Sequence, residues 1–271
     1  MGRENMGNNL LFKELGELRL IFIRFAAMLF LLVFILLSTS FVWIKLAMFG
    51  STSVPVLVFG TPSLATELFT LMKDSLVPEG VPVITLGPFS PFIAPISIAF
   101  MAAFILSFPY LLFSLTRYIS PALYDKERRS LSILLFSSTA LFFLGCVFAY
   151  AVLIPYTFAT LYSFAEPLGV TPFFSLDAFI GTVFGLTISA GLAFLTPIVM
   201  FLLSSAGLVP SAFWRAHWRV SILIVLLFSA IITPDGSGVT MVILSVPLMF
   251  LYGVGAMGSS IYNKGRTKIT N

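Results

Sequence analysis

Charge is what this 271-residue chain has least of: Asp, Glu, Lys and Arg together make up 10% of it. A soluble domain carries about 25%. Hydrophobic residues account for 59%, and the mean hydropathy is +1.06. That scarcity excludes an ordinary soluble globule. Several apolar runs reach the ~20 residues that a helix needs to cross a hydrocarbon core. Barrel strands would alternate over ~10-residue segments, and these runs do not. The chain reads as an all-α integral membrane protein of one domain.

Other absences narrow the function. The single cysteine, Cys146, lies inside an apolar run, which excludes an internal disulfide and a cysteine metal cluster. It reads as a small apolar packing residue. The single histidine, His217, sits in the loop "WRAHWR", at the wrong depth to serve an intramembrane nucleophile as base. HExxH and P-loop patterns are missing, and "PDGSG" at 234–238 lacks a strand–turn–helix setting, so it reads as a turn. A proton or ion pump places carboxylates within its spans, whereas all 11 acidic residues here lie in loops or near interfaces. No internal repeat suggests an inverted-repeat transporter. Neither an enzyme nor a cofactor or metal is expected. The net charge of +4 does not point to nucleic acid, because the basic residues sit beside apolar runs.

What is present is a set of six apolar runs, at about 20–43, 92–116, 131–154, 178–206, 219–232 and 239–258. A lead-in (1–19) precedes them, a long outer loop (44–91) separates the first two, and a tail (259–271) follows. Glu4, Glu14 and Glu17 precede the first run, which therefore reads as a retained span rather than a signal peptide. With the N-terminus inside, 13 of the 15 Lys and Arg fall on the inner side, and only Lys45 and Lys73 lie outside. Both termini are thus expected in the cytoplasm.

The fifth run has 13 residues between Arg219 and Thr233, or ~20 Å at ~1.5 Å per residue, against a core of ~30 Å. The sixth is expected to be interrupted by Gly253, Gly255 and Gly258. Short spans thin the bilayer locally, unless flanking apolar residues extend them. Pro95, Pro109, Pro197 and Pro247 predict kinks. Gly181, Gly185, Ser189, Gly191 and Ala193 predict close helix packing within the chain. In the outer loop, "SLATELFTLMKDSL" predicts a short amphipathic helix with Leu64, Leu68, Leu71, Phe69, Met72 and Leu76 as its apolar positions. That loop is either a cap over the bundle or a docking surface.

Candidate binding residues come from the inner side. In "LLFKELGELRL", Leu11, Leu15, Leu18 and Phe22 mark the apolar face of a helix leading into the first span, with Glu14 and Glu17 on another face. The charged loop "SPALYDKERR" (120–129) supplies Glu127. Carboxylates converging at the cytoplasmic rim suit guanidinium groups, which are planar, always charged and bind bidentately. The ligand would be an arginine-bearing peptide. The alternative is local pairing, Glu17 with Lys13 or Arg19 and Glu127 with Arg128 or Arg129. Spacing alone leaves both open.

The stretch "SPFIAPISIAFMAAFILSFPYLLFSLTRYISPALYDKERR" (90–129) closely resembles the second span and first cytoplasmic loop of TatC, the multispanning receptor of the twin-arginine protein translocase. Matches follow in order: "ELGELR" at 14–19, "GCVFAYAVLIPYTFATL" at 145–161, "GLAFLTPIVMFLL" at 191–203, "WRAHWR" at 214–219, "TPD" at 233–235 and "VPLMFLYG" at 246–253. The resemblance implies six helices in a glove-like arrangement with short fifth and sixth spans. It implies a receptor in a prokaryotic cytoplasmic membrane that binds the twin-arginine signal peptides of folded cargo. Partners would be single-span subunits of the TatA and TatB type, the lipid bilayer and further copies of the chain, and export would run on the proton-motive force. By the matching motifs, Glu17 and Glu127 contact the paired arginines, with Arg19, Tyr118 and Pro121 in the same site. Asp235 matches an outer acidic residue.

This sequence also departs from the family's pattern. "ELRLI" lacks the usual following basic residues, leaving Arg24 as the next positive charge. Leu195 stands where a Glu or Gln is usual, Gly253 where a Glu is usual, and the outer loop is longer than in common bacterial members. These differences suggest a divergent or archaeal-type branch, or a specialised paralogue. A small-molecule transporter and a scaffold without signal recognition remain as rival readings.

Overall fold

The computed structural model describes residues 2–45, 53–59, 62–77, 81–119, 131–170, 173–235 and 238–270. Its helices are α1 (Gly2–Ser38), α2 (Leu64–Leu76), α3 (Ser90–Ile119), α4 (Leu131–Phe148), α5 (Ile154–Ser163), α6 (Leu176–Ala193), α7 (Thr196–Ser205), α8 (Ser211–Ala216), α9 (Trp218–Ile232) and α10 (Val239–Thr270). Four short strands join them: β1 (Thr39–Lys45), β2 (Ser53–Phe59), β3 (Val83–Ile84) and β4 (Phe174–Ser175). Among the described residues, five stretches are long and apolar enough to cross a membrane: Gly16–Ser38, Ser90–Tyr118, Leu134–Ser163, Leu176–Ser205 and Val239–Ile261. The apolar α9 is shorter, at 15 residues, or ~22 Å. The chain divides into two compact units, Met1–Leu111 with Phe173–Ile180, and Leu112–Pro172 with Gly181–Asn271.

In the first unit, the lead-in and first span form one continuous helix, α1. The helix ends at Ser38 rather than near residue 43. Thr39 closes it by donating its hydroxyl to the Ile35 carbonyl at 2.6 Å. The next residues, "FVWI", are β-branched or aromatic and favour a strand. They pair antiparallel with "VPVLVF", in a register running from Thr39 opposite Phe59 to Lys45 opposite Ser53. Hydropathy alone merges helix and strand into a single run. The core of this unit is Phe25, Leu29 and Ala103. The fully buried Ala103 lets α1 approach α3, and Phe25 meets Phe104 edge-on with centroids 6.0 Å apart.

The amphipathic helix expected in the outer loop is α2. Ser63 caps it, its hydroxyl accepting the Thr66 amide at 3.4 Å. Its buried positions are Leu64, Ala65, Met72 and Leu76, while Leu71, expected on the apolar face, is 66% exposed. Phe69 packs edge-on against Phe179 of α6 with centroids 6.1 Å apart. Replacing Ser63 with Ala removes one cap, worth about 1 kcal/mol. Hydrogen exchange of the α2 amides is expected to speed up roughly fivefold if they open locally.

Two contacts join the starts of α3 and α6 in this unit. Strand β3 pairs in parallel with β4, Val83 opposite Phe174 and Ile84 opposite Ser175. Beside it, the Ser90 hydroxyl donates to Asp177 Oδ2 at 2.6 Å.

The second unit is shaped by prolines and glycines. The third run continues past residue 154 to Ser163 through a π-helical turn at Ala149–Leu153. Pro155 has no amide hydrogen and crowds the preceding turn, and one wide turn absorbs that mismatch. The fourth run is broken, not merely kinked: α6 ends at Ala193, and α7 restarts at Thr196 with Pro197 in its first turn. Proline suits that position, where an amide would lack a partner. The Thr196 hydroxyl bonds the Ala193 carbonyl at 2.6 Å. In contrast, α10 stays continuous through Pro247, Gly253, Gly255 and Gly258. The expected interruption of the sixth run is therefore corrected. Gly255 is where α10 meets α7, since a Cβ there would lie 2.8 Å from both the Met200 sulfur and Pro197 Cα.

The close packing expected within the fourth run centres on one of its glycines. A Cβ on Gly191 would lie 2.8 Å from the Cys146 sulfur and 2.8 Å from the Phe142 ring. A Cβ on Gly145 would lie 2.7 Å from the Ala190 carbonyl and 2.8 Å from Gly191 Cα. Helices α4 and α6 thus cross at a Gly145–Gly191 contact. Gly181 and Gly185 have open space at their Cβ positions.

Candidate functional site

Glu17 lies on α1 with its side chain exposed, as does Arg19. Two residues apart on a helix, they point in different directions and do not face each other. The helix runs 21 residues on from Glu17 to Ser38, or ~31 Å, about one hydrocarbon thickness. Glu17 is the second residue of the candidate span Gly16–Ser38. Arg24, also exposed, follows two turns further in. Among the described side chains, neither Glu17 nor Arg19 belongs to an ion pair; the pair found is Lys73 with Asp74, at 3.7 Å.

Tyr118 is half-buried in the last turn of α3 and belongs to the second unit. Pro121 and Glu127 lie outside the described residues, as does the rest of the 120–130 loop. Glu17 and Arg19 belong to the first unit.

Asp235 is 8% exposed and accepts a short hydrogen bond from the fully buried Thr240 hydroxyl. It lies between α9 and α10, just ahead of the α10 N-terminus, where the helix dipole favours a negative charge. Thr233 ends α9 by donating its hydroxyl to the Ser229 carbonyl at 2.9 Å. The "TPD" residues thus close the α9–α10 turn. Asp235→Ala leaves a buried hydroxyl without this acceptor, at a cost of about 1–3 kcal/mol. A lower melting midpoint in detergent, with Asp235→Ala and Thr240→Val losing less together than the sum of their separate losses, is the expected result.

At the two positions where the sequence lacks the usual polar residue, Leu195 is 8% exposed at the α6–α7 break, and Gly253 has open space at its Cβ position. Other polar features escaped the sequence analysis. The Thr187 and Ser229 hydroxyls are buried and have no hydrogen-bond partner among the described residues. Tyr252 of α10 donates to the Trp214 carbonyl at 2.6 Å, and the Trp214 indole donates to the Ser204 hydroxyl at 2.9 Å. These bonds tie α8 to α7 and α10. Their partners lie 38 and 10 residues apart, beyond the reach of any local motif.

A model of the TatC family, the Sec-independent protein translocase protein, matches residues 13–247. The chain belongs to the TatC family. The TatC of Cenarchaeum symbiosum (strain A) is 36% identical over 196 residues, 71% of this chain and 73% of its own length. The TatC of Aquifex aeolicus (strain VF5) is 33% identical over 209 residues, 76% of this chain and 86% of its own. A crystal structure of the twin-arginine translocase receptor TatC superposes with a TM-score of 0.72 at 28% identity, covering 92% of this chain and 98% of that one. The TatC match makes this a multipass membrane protein and a component of a protein translocase. The family-matched residues Glu17, Arg19, Tyr118, Pro121, Glu127 and Asp235 all fall inside the matched range.

Proposed function

We propose that this chain is the signal-receiving subunit of a twin-arginine translocase, binding twin-arginine signal peptides of folded cargo at the cytoplasmic face. In this reading Glu17 and Glu127 bind the two guanidinium groups. Arg19 and Tyr118 shape the site, and Pro121 sets the turn of the loop that carries Glu127. The observation that carries the reading is the family match across 13–247, which includes both carboxylate motifs, together with Glu17 exposed one bilayer thickness from the far end of α1.

Counting α9 as a span gives six crossings and places both termini in the cytoplasm, in keeping with the Lys and Arg distribution. The start of α1 and the end of α3 are then separated by two crossings and share the cytoplasmic side. The subunit works with single-span partners of the TatA and TatB type and with further copies of itself, and the proton-motive force drives export. The short α9 thins the bilayer where cargo passes.

Export in a host lacking its own receptor tests this reading. Supplied with this chain and its cognate single-span partners, the host is expected to export a folded reporter behind a twin-arginine leader. The same reporter behind a twin-lysine leader should stay inside, since lysine lacks the planar fork that binds a carboxylate bidentately. Equal export of both reporters contradicts a receptor that reads arginine.

A further inference from the structure

The second unit contains a partly open cavity of about 300 Å³ lined by residues of α6, α7, α8, α9 and α10. Its walls are mainly apolar: Ala193, Met200, Ile224, Val225, Phe228 and Leu248. The polar groups that also line it are engaged elsewhere. The Thr196 hydroxyl donates to the Ala193 carbonyl, Ser221 to the His217 carbonyl, Tyr252 to the Trp214 carbonyl and the Trp214 indole to Ser204. A polar ligand would therefore lose its hydration without finding a free donor, whereas an alkyl chain loses nothing.

The same end of the unit carries positive charge that has no ion-pair partner among the described residues. Arg215 follows the cavity-lining Trp214 in α8, and Arg219 lies in the first turn of α9, two residues before the cavity-lining Ser221; neither arginine lines the cavity itself. Both side chains are exposed. Arg219 stands over the Trp218 ring at 5.6 Å, and among the described residues neither arginine has an ion-pair partner. In the sequence around them no Asp or Glu occurs between Asp177 and Asp235 or anywhere in α10. Trp218, 50% exposed, adds an amphipathic aromatic of the kind that settles at a membrane surface.

We infer that this is a binding site for an anionic phospholipid, with one acyl chain in the cavity and the headgroup phosphate on Arg215 and Arg219. Basic residues bordering a gap between membrane helices select anionic headgroups, and guanidinium groups grip phosphate in two-point contacts. Neutral lipid fits the cavity equally well, so the selectivity rests on the two arginines and the occupancy on the cavity.

Native mass spectrometry of the purified full chain, titrated with phosphatidylglycerol or phosphatidylcholine of equal chain length, tests both halves. The wild type is expected to favour phosphatidylglycerol by roughly tenfold. R215Q/R219Q, altered only at exposed positions, should lose that preference while keeping the weaker uptake common to both lipids. Val225→Phe, which fills the cavity, should lower retention of both lipids. A wild type without preference, or an unchanged preference in R215Q/R219Q, overturns the headgroup assignment; full retention in Val225→Phe overturns the chain assignment. A photoreactive benzoylphenylalanine replacing Phe228 in native membranes should give an adduct with the mass of a phospholipid. A polypeptide adduct there would show a partner helix in the cavity instead and overturn the proposal.

Discussion

Gly145→Ala is expected to destabilise the protein by about 3 kcal/mol, near the upper end for overpacking a close contact. The added methyl would lie 2.7 Å from the Ala190 carbonyl and 2.8 Å from Gly191 Cα, both backbone atoms that cannot turn aside. Gly191→Ala meets side chains instead, the Cys146 sulfur and the Phe142 ring. Both Cys146 and Phe142 are buried, so this substitution also costs stability, but less. The difference yields a sharper expectation than either variant alone. Cys146→Ala removes the sulfur and should restore part of the stability lost in Gly191→Ala, while restoring none of that lost in Gly145→Ala. Melting midpoints of the four variants and the wild type in one detergent check this. Equal rescue of both glycine variants would mean that α4 and α6 do not cross at these residues.

The other large effect concerns ligand binding. A charge-assisted hydrogen bond contributes about 1.5–3 kcal/mol. Removing both carboxylates with E17A/E127A should therefore weaken twin-arginine peptide binding by at least about 100-fold. Each single variant should lose roughly tenfold, because the remaining carboxylate still holds one guanidinium. Glu17 is exposed on α1, so the loss in E17A should come without a fall in melting midpoint. That separates recognition from folding. The same exposure makes the contact sensitive to screening, and affinity should fall as salt rises.

Much of the architecture is legible in the sequence because hydropathy and length dominate in a membrane. Each of the five long apolar stretches coincides with an expected run, and the shortness of α9 follows from counting residues between Arg219 and Thr233. The boundaries that moved did so where hydropathy is blind to backbone geometry. Residues 41–44, "FVWI", extend the apolar run of the helix before them, yet β-branched and aromatic residues favour a strand, and the backbone pairs as one. Pro197 announced a disturbance, but whether a helix bends or restarts depends on what receives its freed carbonyl, here the Thr196 hydroxyl. The glycines were visible as small residues; which of them touch a neighbour was not. Gly191 meets Gly145 on another helix, whereas Gly181 and Gly185, with the more familiar spacing, meet nothing.

The candidate site divides in a similar way. Glu17 is a candidate from its place on the lead-in helix, whereas Arg19 and Tyr118 are candidates only through the family's motifs; the structure has Glu17 and Arg19 exposed on α1 and Tyr118 half-buried at the end of α3. Asp235 could be named but not interpreted. Its buried bond to Thr240 shows a residue that closes a turn, which no charge count would reveal. Ser90 and Asp177, 87 residues apart, carry no local pattern and become partners only through the fold.

The central claim is that two carboxylates from separate segments read paired arginines. The most direct measurement is the affinity of a fluorescent twin-arginine signal peptide, and of its twin-lysine counterpart, for the purified chain and for E17A/E127A in nanodiscs. The wild type should bind the arginine peptide at least about tenfold more tightly than the lysine peptide, and the double variant should bind both equally weakly. Preserved discrimination in the double variant would place the arginine-reading site elsewhere in the chain and contradict the account.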